Sequence, residues 1–97
     1  MMILHTLSAS PHSNVYQDCL RIAAEDDAIL LLGDGVYGAI EGAEAEAALL
    51  KCGARLFILS THARAAGVHT FSHQFTELDM AGFVELTERY PRQLAWH

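Results

Sequence analysis

The chain has 97 residues, of which 52% are apolar, and its formal net charge is −6. This length predicts a single domain over residues 1–97, and the apolar excess favours a subunit with a buried interface. A chain this acidic offers no electrostatic surface for phosphate backbones, so direct binding of nucleic acid is disfavoured. No apolar run approaches the roughly 20 residues of a membrane-spanning helix, so no membrane partner is expected.

The two cysteines, Cys19 and Cys52, are too few to form a disulfide framework. Cysteine use of this kind fits a reducing compartment. The N-terminus also lacks the charged region that opens a signal peptide. We therefore expect a cytoplasmic protein.

Predicted strands and helices alternate along the whole chain. The predicted strands cover 2–7, 28–32, 55–59, 74–78 and 94–96. The predicted helical segments cover 14–25, 36–40, 43–51, 61–67 and 79–90. This alternation predicts an α/β fold of three layers, in which a mostly parallel five-stranded sheet carries helices on both faces.

Local signals predict where the helices begin and end. Asn14, Thr61 and Asp79 are the predicted N-caps, because short polar side chains accept hydrogen bonds from the first free N–H groups of a helix. Gly53 is the predicted residue after the helix that ends near Lys51.

Three helices show apolar stripes that we predict to be buried. The predicted inward residues of the first helix are Val15, Cys19, Ile22 and Ala23. Those of the helix at 43–51 are Ala45, Ala48 and Leu49. Those of the last helix are Met80, Phe83, Val84, Leu86, Thr87 and Tyr90.

The apolar run 28–32 leads directly into a turn that contains Asp34 between Gly33 and Gly35. Such a run is typical of a strand buried on both faces, and ligands gather where such strands end. The Asp34 carboxylate has two interpretations: a base or ligand at this edge, or an Asx turn with its own backbone. The glycine spacing matches no phosphate-binding loop, so nucleotide binding is not expected.

The two cysteines differ in their predicted environments. Cys19 lies near the start of a helix, where the helix dipole favours a thiolate, but it also lies in the middle of the apolar stripe. A nucleophile and a packed hydrophobe both remain open for Cys19. Cys52 lies at a helix end, where the dipole opposes a thiolate, so a structural role is favoured.

Other chemistry-bearing residues form no recognisable site. His69 and His73 lack a third nearby ligand, so neither a metal nor another cofactor is predicted. No serine-hydrolase, C-x-x-C or triad motif is present, so the chain is not expected to be an enzyme by itself, and no residue is assigned as catalytic. The single tryptophan, Trp96, is expected to pack into the core or a partner.

Several short motifs occur in a fixed order along nearly the whole chain. They are Leu4-His5-Thr6 with Ser10-Pro11, Leu30-Leu31-Leu32 with Asp34-Gly35-Val36-Tyr37, Asp79 with Gly82-Phe83-Val84 and Leu86-Thr87, and Pro91-Arg92-Gln93-Leu94-Ala95-Trp96. This ordered set resembles the DsrH/TusB-like sulfur-relay subunits of the DsrE/DsrF/DsrH superfamily. The resemblance implies a flavodoxin-like fold of the DsrE/DsrH type.

The resemblance also implies partners. Three paralogous chains, of the DsrH/TusB, DsrE/TusD and DsrF/TusC types, would form a heterohexamer with two copies of each. In the tRNA branch of the family, such a complex passes persulfide sulfur from a TusA-like donor towards a TusE-like acceptor, for 2-thiolation of the wobble uridine. The main sulfur-carrying cysteine belongs to the DsrE/TusD-type chain, so this chain would be largely structural. Expressed alone, it would be poorly soluble or form a homo-oligomer.

Two alternatives stay open beside this expectation. Cys19 matches a cysteine of DsrH-type chains, which implies a possible persulfide carrier in a sulfur-oxidation complex that acts with a DsrC-like protein. The C-terminal motif resembles TusB-type chains instead. The segment Asp34, Gly35 and Tyr37, together with Trp96, is the candidate functional turn or interface; a small free-standing enzyme or ligand-binding domain would use the same turn.

Overall fold

The computed structural model describes residues 2–97. The five strands are β1 (Ile3–Leu7), β2 (Ala28–Leu31), β3 (Arg55–Leu59), β4 (Phe75–Leu78) and β5 (Arg92–Trp96). The four α-helices are α1 (Asn14–Ile22), α2 (Glu44–Lys51), α3 (Ser60–Ala65) and α4 (Met80–Arg89), and a 3₁₀ helix covers Gly33–Ala39. The predicted α/β fold with a five-stranded sheet is confirmed.

The sheet has the strand order β4-β3-β2-β1-β5, and every pairing is parallel. The chain adds strands in one direction from β1 to β4 and then returns to place β5 beside β1. Because such crossovers are right-handed, α1, α2 and α3 cover one face and α4 covers the other. The direction reverses between β1 and β5, and in open α/β sheets the carboxyl edge at such a reversal is the usual ligand site.

Strand β2 lies between two apolar clusters, one on each face of the sheet. Ile29 and Leu31 belong to the larger cluster under α1, α2 and α3. Ala28 and Leu30 belong to the smaller cluster under α4, with Leu86 and Tyr90 from that helix. The uninterrupted apolar run therefore contributes buried side chains to both faces of the sheet, as is typical of a central parallel strand.

The start of α1 differs from the prediction by one residue. Ser13, not Asn14, is the N-cap: its backbone is extended and its hydroxyl accepts a hydrogen bond from the Tyr16 N–H at 3.2 Å. Asn14 already has a helical hydrogen-bonding position, so its side chain cannot serve the first turn in this way. The helix also stops at Ile22 rather than near Glu25, because the chain is extended at Ala23.

The other predicted helix boundaries have mixed outcomes. Thr61 is not an N-cap, because β3 passes into α3 at Ser60 without a loop. Asp79 is an N-cap as predicted, and its carboxylate accepts a hydrogen bond from the Gly82 N–H at 2.8 Å. Gly53 follows α2 with a φ of +87°, the left-handed conformation that favours glycine at this position.

The predicted apolar stripes are only partly buried. In α1 the large buried side chain is Tyr16, whereas Ile22 is 52% exposed. In α2 Leu49 is buried, but Ala48 is exposed. A helix that packs on a sheet buries only the residues that point directly at it, so the margins of each stripe stay in solvent.

Exposed apolar side chains lie on several elements. The exposed large ones are Met2, Ile22, Tyr37, Ile40, Met80, Val84 and Leu94. Within residues 2–97, no helix is long and apolar enough to cross a membrane.

Candidate functional site

The loop after β2 lies at the carboxyl edge of the sheet and begins at Gly33. Gly33 has a φ of +53°, and the Gly33 N–H donates a hydrogen bond to His62 Nδ1 at 2.8 Å. The Gly35 N–H donates to the Leu32 carbonyl at 3.0 Å. His62 therefore connects the start of α3 to the turn, a role that its sequence position did not predict.

Gly35 is packed directly against the end of β1. A Cβ atom at this position would lie 2.0 Å from the Leu7 carbonyl oxygen and 2.9 Å from the Leu7 carbonyl carbon. These are backbone atoms, so no side-chain rotation would relieve the clash. The Leu32 N–H also donates to that Leu7 oxygen at 3.2 Å. Glycine is required at position 35 because the turn and the end of β1 approach each other too closely for a side chain.

Asp34 and Tyr37 of the predicted functional turn face solvent. Tyr37 is 42% exposed, and Ile40, which follows the 3₁₀ helix, is 44% exposed. Asp34 is exposed too, and within residues 2–97 its carboxylate forms no hydrogen bond with its own turn. The turn is therefore held by backbone groups and His62, and the Asx-turn interpretation of Asp34 is wrong.

A cavity of about 680 Å³ lies beside this turn, between α1, the 3₁₀ helix and α2. Most of its wall is apolar. The polar and aromatic residues that line it are Ser10, His12, Tyr16, Gln17, Tyr37 and Glu44. In the described part of the chain, no group of three or more histidine, cysteine, aspartate or glutamate side chains is arranged to hold a metal ion.

Cys19 is fully buried in the larger apolar cluster, on the α1 face of the sheet. Burial, with a smaller contribution from nearby Cys52, raises the pKa of the Cys19 thiol to about 12. Burial also raises the pKa of Cys52, although the backbone N–H groups of Ala54 and Cys52 partly oppose it. Both side chains are therefore thiols near neutral pH, whereas attack on a sulfur donor requires a thiolate.

Trp96 belongs to a buried hydrogen-bond network formed by His5, Asp27 and Trp96. The indole Nε1 lies 3.0 Å from His5 Nδ1, and His5 Nε2 lies 2.9 Å from Asp27 Oδ2. His5 is 0% exposed and Asp27 is 1% exposed. The expected packing of Trp96 is thus into its own chain, against the larger apolar cluster.

Asp27 is the acceptor at the centre of several donors. Its Oδ1 accepts from the Ile3 N–H and its Oδ2 from the Ala24 N–H, each at 2.9 Å. Burial by itself would raise the pKa of Asp27, but the hydrogen bonds from Ala24, His5 and Ile3 outweigh it and hold the pKa below its usual range. The carboxylate is therefore ionised within the protein.

The fold brings the predicted turn and Trp96 to opposite sides of one segment, the end of β1. Gly35 contacts Leu7 on one side, and Trp96 pairs with Leu7 on the other. Ser8 continues this arrangement, since its N–H donates to the Trp96 carbonyl at 2.9 Å. Cys19 lies in the cluster beneath and is not exposed at this edge.

Neither His5, which the sequence analysis named only within the motif Leu4-His5-Thr6, nor Asp27 was predicted as a site residue. The signal was present in each case: a histidine inside an apolar strand, and an aspartate immediately before the buried run 28–31. Their meeting with Trp96 depends on which strands pair, which the sequence pattern did not specify.

Comparisons with known proteins assign the family. A family model described as "DsrH like protein" matches residues 9–93. Full-length relatives are each named "Protein TusB": 38% identity in Pectobacterium parmentieri and 40% in Yersinia pestis, in both cases over 97% of this chain and all of the relative. The chain belongs to the DsrH/TusB-like family of sulfur-relay subunits.

The fold of this DsrH/TusB-like chain is similar to that of a solved structure as well. The ychN protein of E. coli matches with a TM-score of 0.81 over 98% of each chain, at 14% identity. An identity this low supports the fold alone. The family assignment thus depends on the sequence matches, and the α/β architecture has a structural match of its own.

Proposed function

We propose that this chain is a largely structural subunit of a cytoplasmic heterohexameric sulfur-relay complex that serves 2-thiolation of the tRNA wobble uridine. Its partners in this proposal are paralogous DsrE/TusD-like and DsrF/TusC-like subunits. A TusE/DsrC-like protein accepts sulfur from the complex. The chain itself contacts neither tRNA nor a membrane.

One observation carries the proposal: the similarity to proteins named "Protein TusB" extends over 97% of the chain, at 37–40% identity. Because each match covers the whole of the relative, the similarity is not limited to one part of those proteins. The acidic net charge of −6 supports a role through protein partners rather than through nucleic acid.

The state of the thiols supports a structural role within the complex. Cys19 is fully buried and its pKa is raised to about 12, so it is a poor carrier of persulfide sulfur in this conformation. We therefore propose that Cys19 packs the core and that a partner subunit supplies the reactive cysteine. The exposed Tyr37 and Ile40, beside the turn at Asp34, are the proposed partner contacts.

The test is deletion of the coding sequence in its own organism, followed by mass spectrometry of tRNA digests. We expect wobble 2-thiouridine to fall and to recover when the wild-type chain or Cys19→Ser is restored. Unchanged 2-thiouridine after deletion would contradict the tRNA role. Normal protein abundance without recovery in Cys19→Ser would contradict the packing role of Cys19 and leave the tRNA role intact.

Assembly is tested separately by co-expression with the two paralogues from the same genome. We expect one species larger than any single chain on size exclusion, and a poorly soluble or homo-oligomeric species when this chain is expressed alone. Tyr37→Glu should weaken the assembly, because it places a charge in a proposed apolar contact. Glu41→Gln, an exposed change just beyond Ile40, is the matched control and should assemble normally. A monodisperse monomer alone, with no larger species on co-expression, would refute the assembly.

A second candidate is a DsrH-type subunit in dissimilatory sulfur oxidation, and the observation that favours it is Cys19 in α1. Under this candidate, Cys19 in the folded complex reacts with a persulfide donor faster than half-buried Cys52 does. Mass spectrometry of the two cysteine peptides distinguishes the candidates, since a packed Cys19 reacts only after denaturation.

The candidate from another class is a ligand-binding domain or enzyme that uses Asp34, whose exposed carboxylate lies in the turn beside the 680 Å³ cavity. Asp34→Asn separates this candidate from the relay subunit. The proposed relay role predicts normal 2-thiouridine in that variant, whereas a carboxylate-dependent activity would be lost.

A further inference from the structure

The C-terminal strand β5 is held to the protein by very little buried surface. Its residues 92–95 are exposed, and Trp96 is its one partly buried side chain. The strand lies at an edge of the sheet and pairs only with β1. Besides the main-chain ladder, the Gln93 amide donates to the Thr87 and Tyr90 carbonyls at 3.4 Å. Trp96 is the one side chain of β5 that packs against an apolar cluster, and its indole has His5 as its hydrogen-bond partner.

The chemistry of the indole determines where the proton of His5 lies. An indole N–H can only donate, so His5 Nδ1, 3.0 Å away, must present its lone pair. The proton of the neutral imidazole is then on Nε2, where it is donated to Asp27 Oδ2 at 2.9 Å. The network as a whole thus requires His5 to be neutral.

We propose that protonation of His5 releases the indole of Trp96, so that the C-terminal end of β5 is a proton-controlled edge of the sheet. A proton taken from solvent binds Nδ1 and turns the acceptor of the indole into a donor. Two donors then face each other, and the Trp96 hydrogen bond is lost. Asp27 Oδ2, which lies 2.9 Å from His5 Nε2, then pairs with the imidazolium.

On the α1 side of His5, the titratable groups are neutral or paired with each other. Helix α1 contributes Tyr16 and Cys19, and burial raises the pKa of both, so that they stay neutral. Its charged residues Asp18 and Arg21 pair with each other in solvent at 3.0 Å. On the side of β2, Asp26 is exposed and adjoins Asp27.

Strand β5 contributes its own titratable and charged residues. Arg92, at the start of β5, pairs with Ile3, whereas His5 pairs with Leu94 two residues further along the strand. His97 follows Trp96 and is exposed to solvent. His97 is the group that a pH experiment must separate from His5, because it adjoins the tryptophan directly.

The fluorescence of Trp96 tests the proposal, since it is the single tryptophan of the chain. On acidification of the full chain from about pH 8 to about pH 5, we expect a reversible sigmoidal red shift of the emission as the indole enters water. The shift should persist in His97→Gln and disappear in His5→Gln. An emission that does not depend on pH in the wild type, or the same transition in folded His5→Gln, would overturn the proposal.

A second measurement needs only the wild-type protein, in case His5→Gln does not fold. Long-range ¹H–¹⁵N correlation spectra of histidine-labelled protein report which ring nitrogen of His5 carries the proton. At about pH 8 we expect the proton on Nε2, and on acidification we expect Nδ1 to become protonated as the hydrogen-bonded indole N–H signal is lost. A proton on Nδ1 at the higher pH, or an indole signal unchanged through the titration of His5, would refute the proposal.

Discussion

Strands β2 and β5 reach the same carboxyl edge of the sheet but are held there by different means. All four residues of β2 are 0% exposed, and apolar clusters cover both faces of the strand. Strand β5 has residues 92–95 exposed and one neighbouring strand. The central strand is fixed by burial, whereas the terminal strand is fixed by its ladder, by hydrogen bonds that include those of Gln93, and by the network of Trp96, His5 and Asp27.

This difference shows how one sheet contains parts of unequal stability. Burial of a leucine side chain contributes about 1.5–3 kcal/mol to the free energy of unfolding, so β2 cannot leave without loss of the fold. A single buried hydrogen bond contributes about 1 kcal/mol. We therefore expect β5 to open locally more readily than β2.

The largest contrast should come from leucines in the two strands. Leu30→Ala removes a side chain that is 0% exposed, and we expect a loss of about 2–5 kcal/mol in the free energy of unfolding. Leu94→Ala, in β5 and 44% exposed, should cost less than about 1 kcal/mol. Urea denaturation followed by circular dichroism measures both. Equal losses would mean that β5 contributes as much to stability as β2.

Gly35→Ala tests the packing of the turn after β2. Its Cβ would overlap the Leu7 backbone at 2.0 Å, so we expect a loss of about 3 kcal/mol or more in the free energy of unfolding. Gly42→Ala is the matched control, because its φ is +84° but nothing lies within 4 Å of the added atom. Backbone strain alone should cost that variant about 1 kcal/mol. A Gly35→Ala protein as stable as Gly42→Ala would show that β1 and the turn can separate.

Trp96→Phe tests how β5 is attached to the rest of the sheet. Phenylalanine keeps an aromatic ring against the apolar cluster but cannot donate to His5 Nδ1, which is then buried without a partner. We expect a loss of about 1–2 kcal/mol, with faster hydrogen exchange confined to the amides of β1 and β5. Uniformly faster exchange across β2 and β3 would contradict the local opening of the terminal strand.

The ionisation of the buried Cys19 thiol should affect stability only at alkaline pH. The folded-state pKa is raised to about 12, whereas the unfolded thiol titrates near pH 8.5. Between these values the unfolded chain loses a proton that the folded protein keeps, so stability falls as pH rises. We expect the decline in urea midpoint between about pH 8 and about pH 10 to be shallower in Cys19→Ala. Parallel declines in the two proteins would show that Cys19 ionises while folded.

Local sequence patterns were sufficient for the elements whose signal is contained within a few residues. The run 28–32 predicted a strand buried on both faces, Asp79 predicted a helix start, and Gly53 predicted a helix end. Each of these depends on neighbours in the chain: apolar continuity, a cap within three residues, or a left-handed conformation. The ordered motifs also predicted the family, because they occur in the same order along nearly the whole chain.

Tertiary structure alone decided which residues meet across the sheet. His5, Asp27 and Trp96 come from β1, the residue before β2 and the end of β5, and they converge because β5 returns to pair with β1. The same pairing exposes most of β5, and the positions of the helices on the sheet leave Ile22, Met80 and Val84 in solvent. An apolar pattern indicates that a side chain favours burial. Whether the side chain is buried depends on the order of the strands and on the number of helices that cover each face of the sheet.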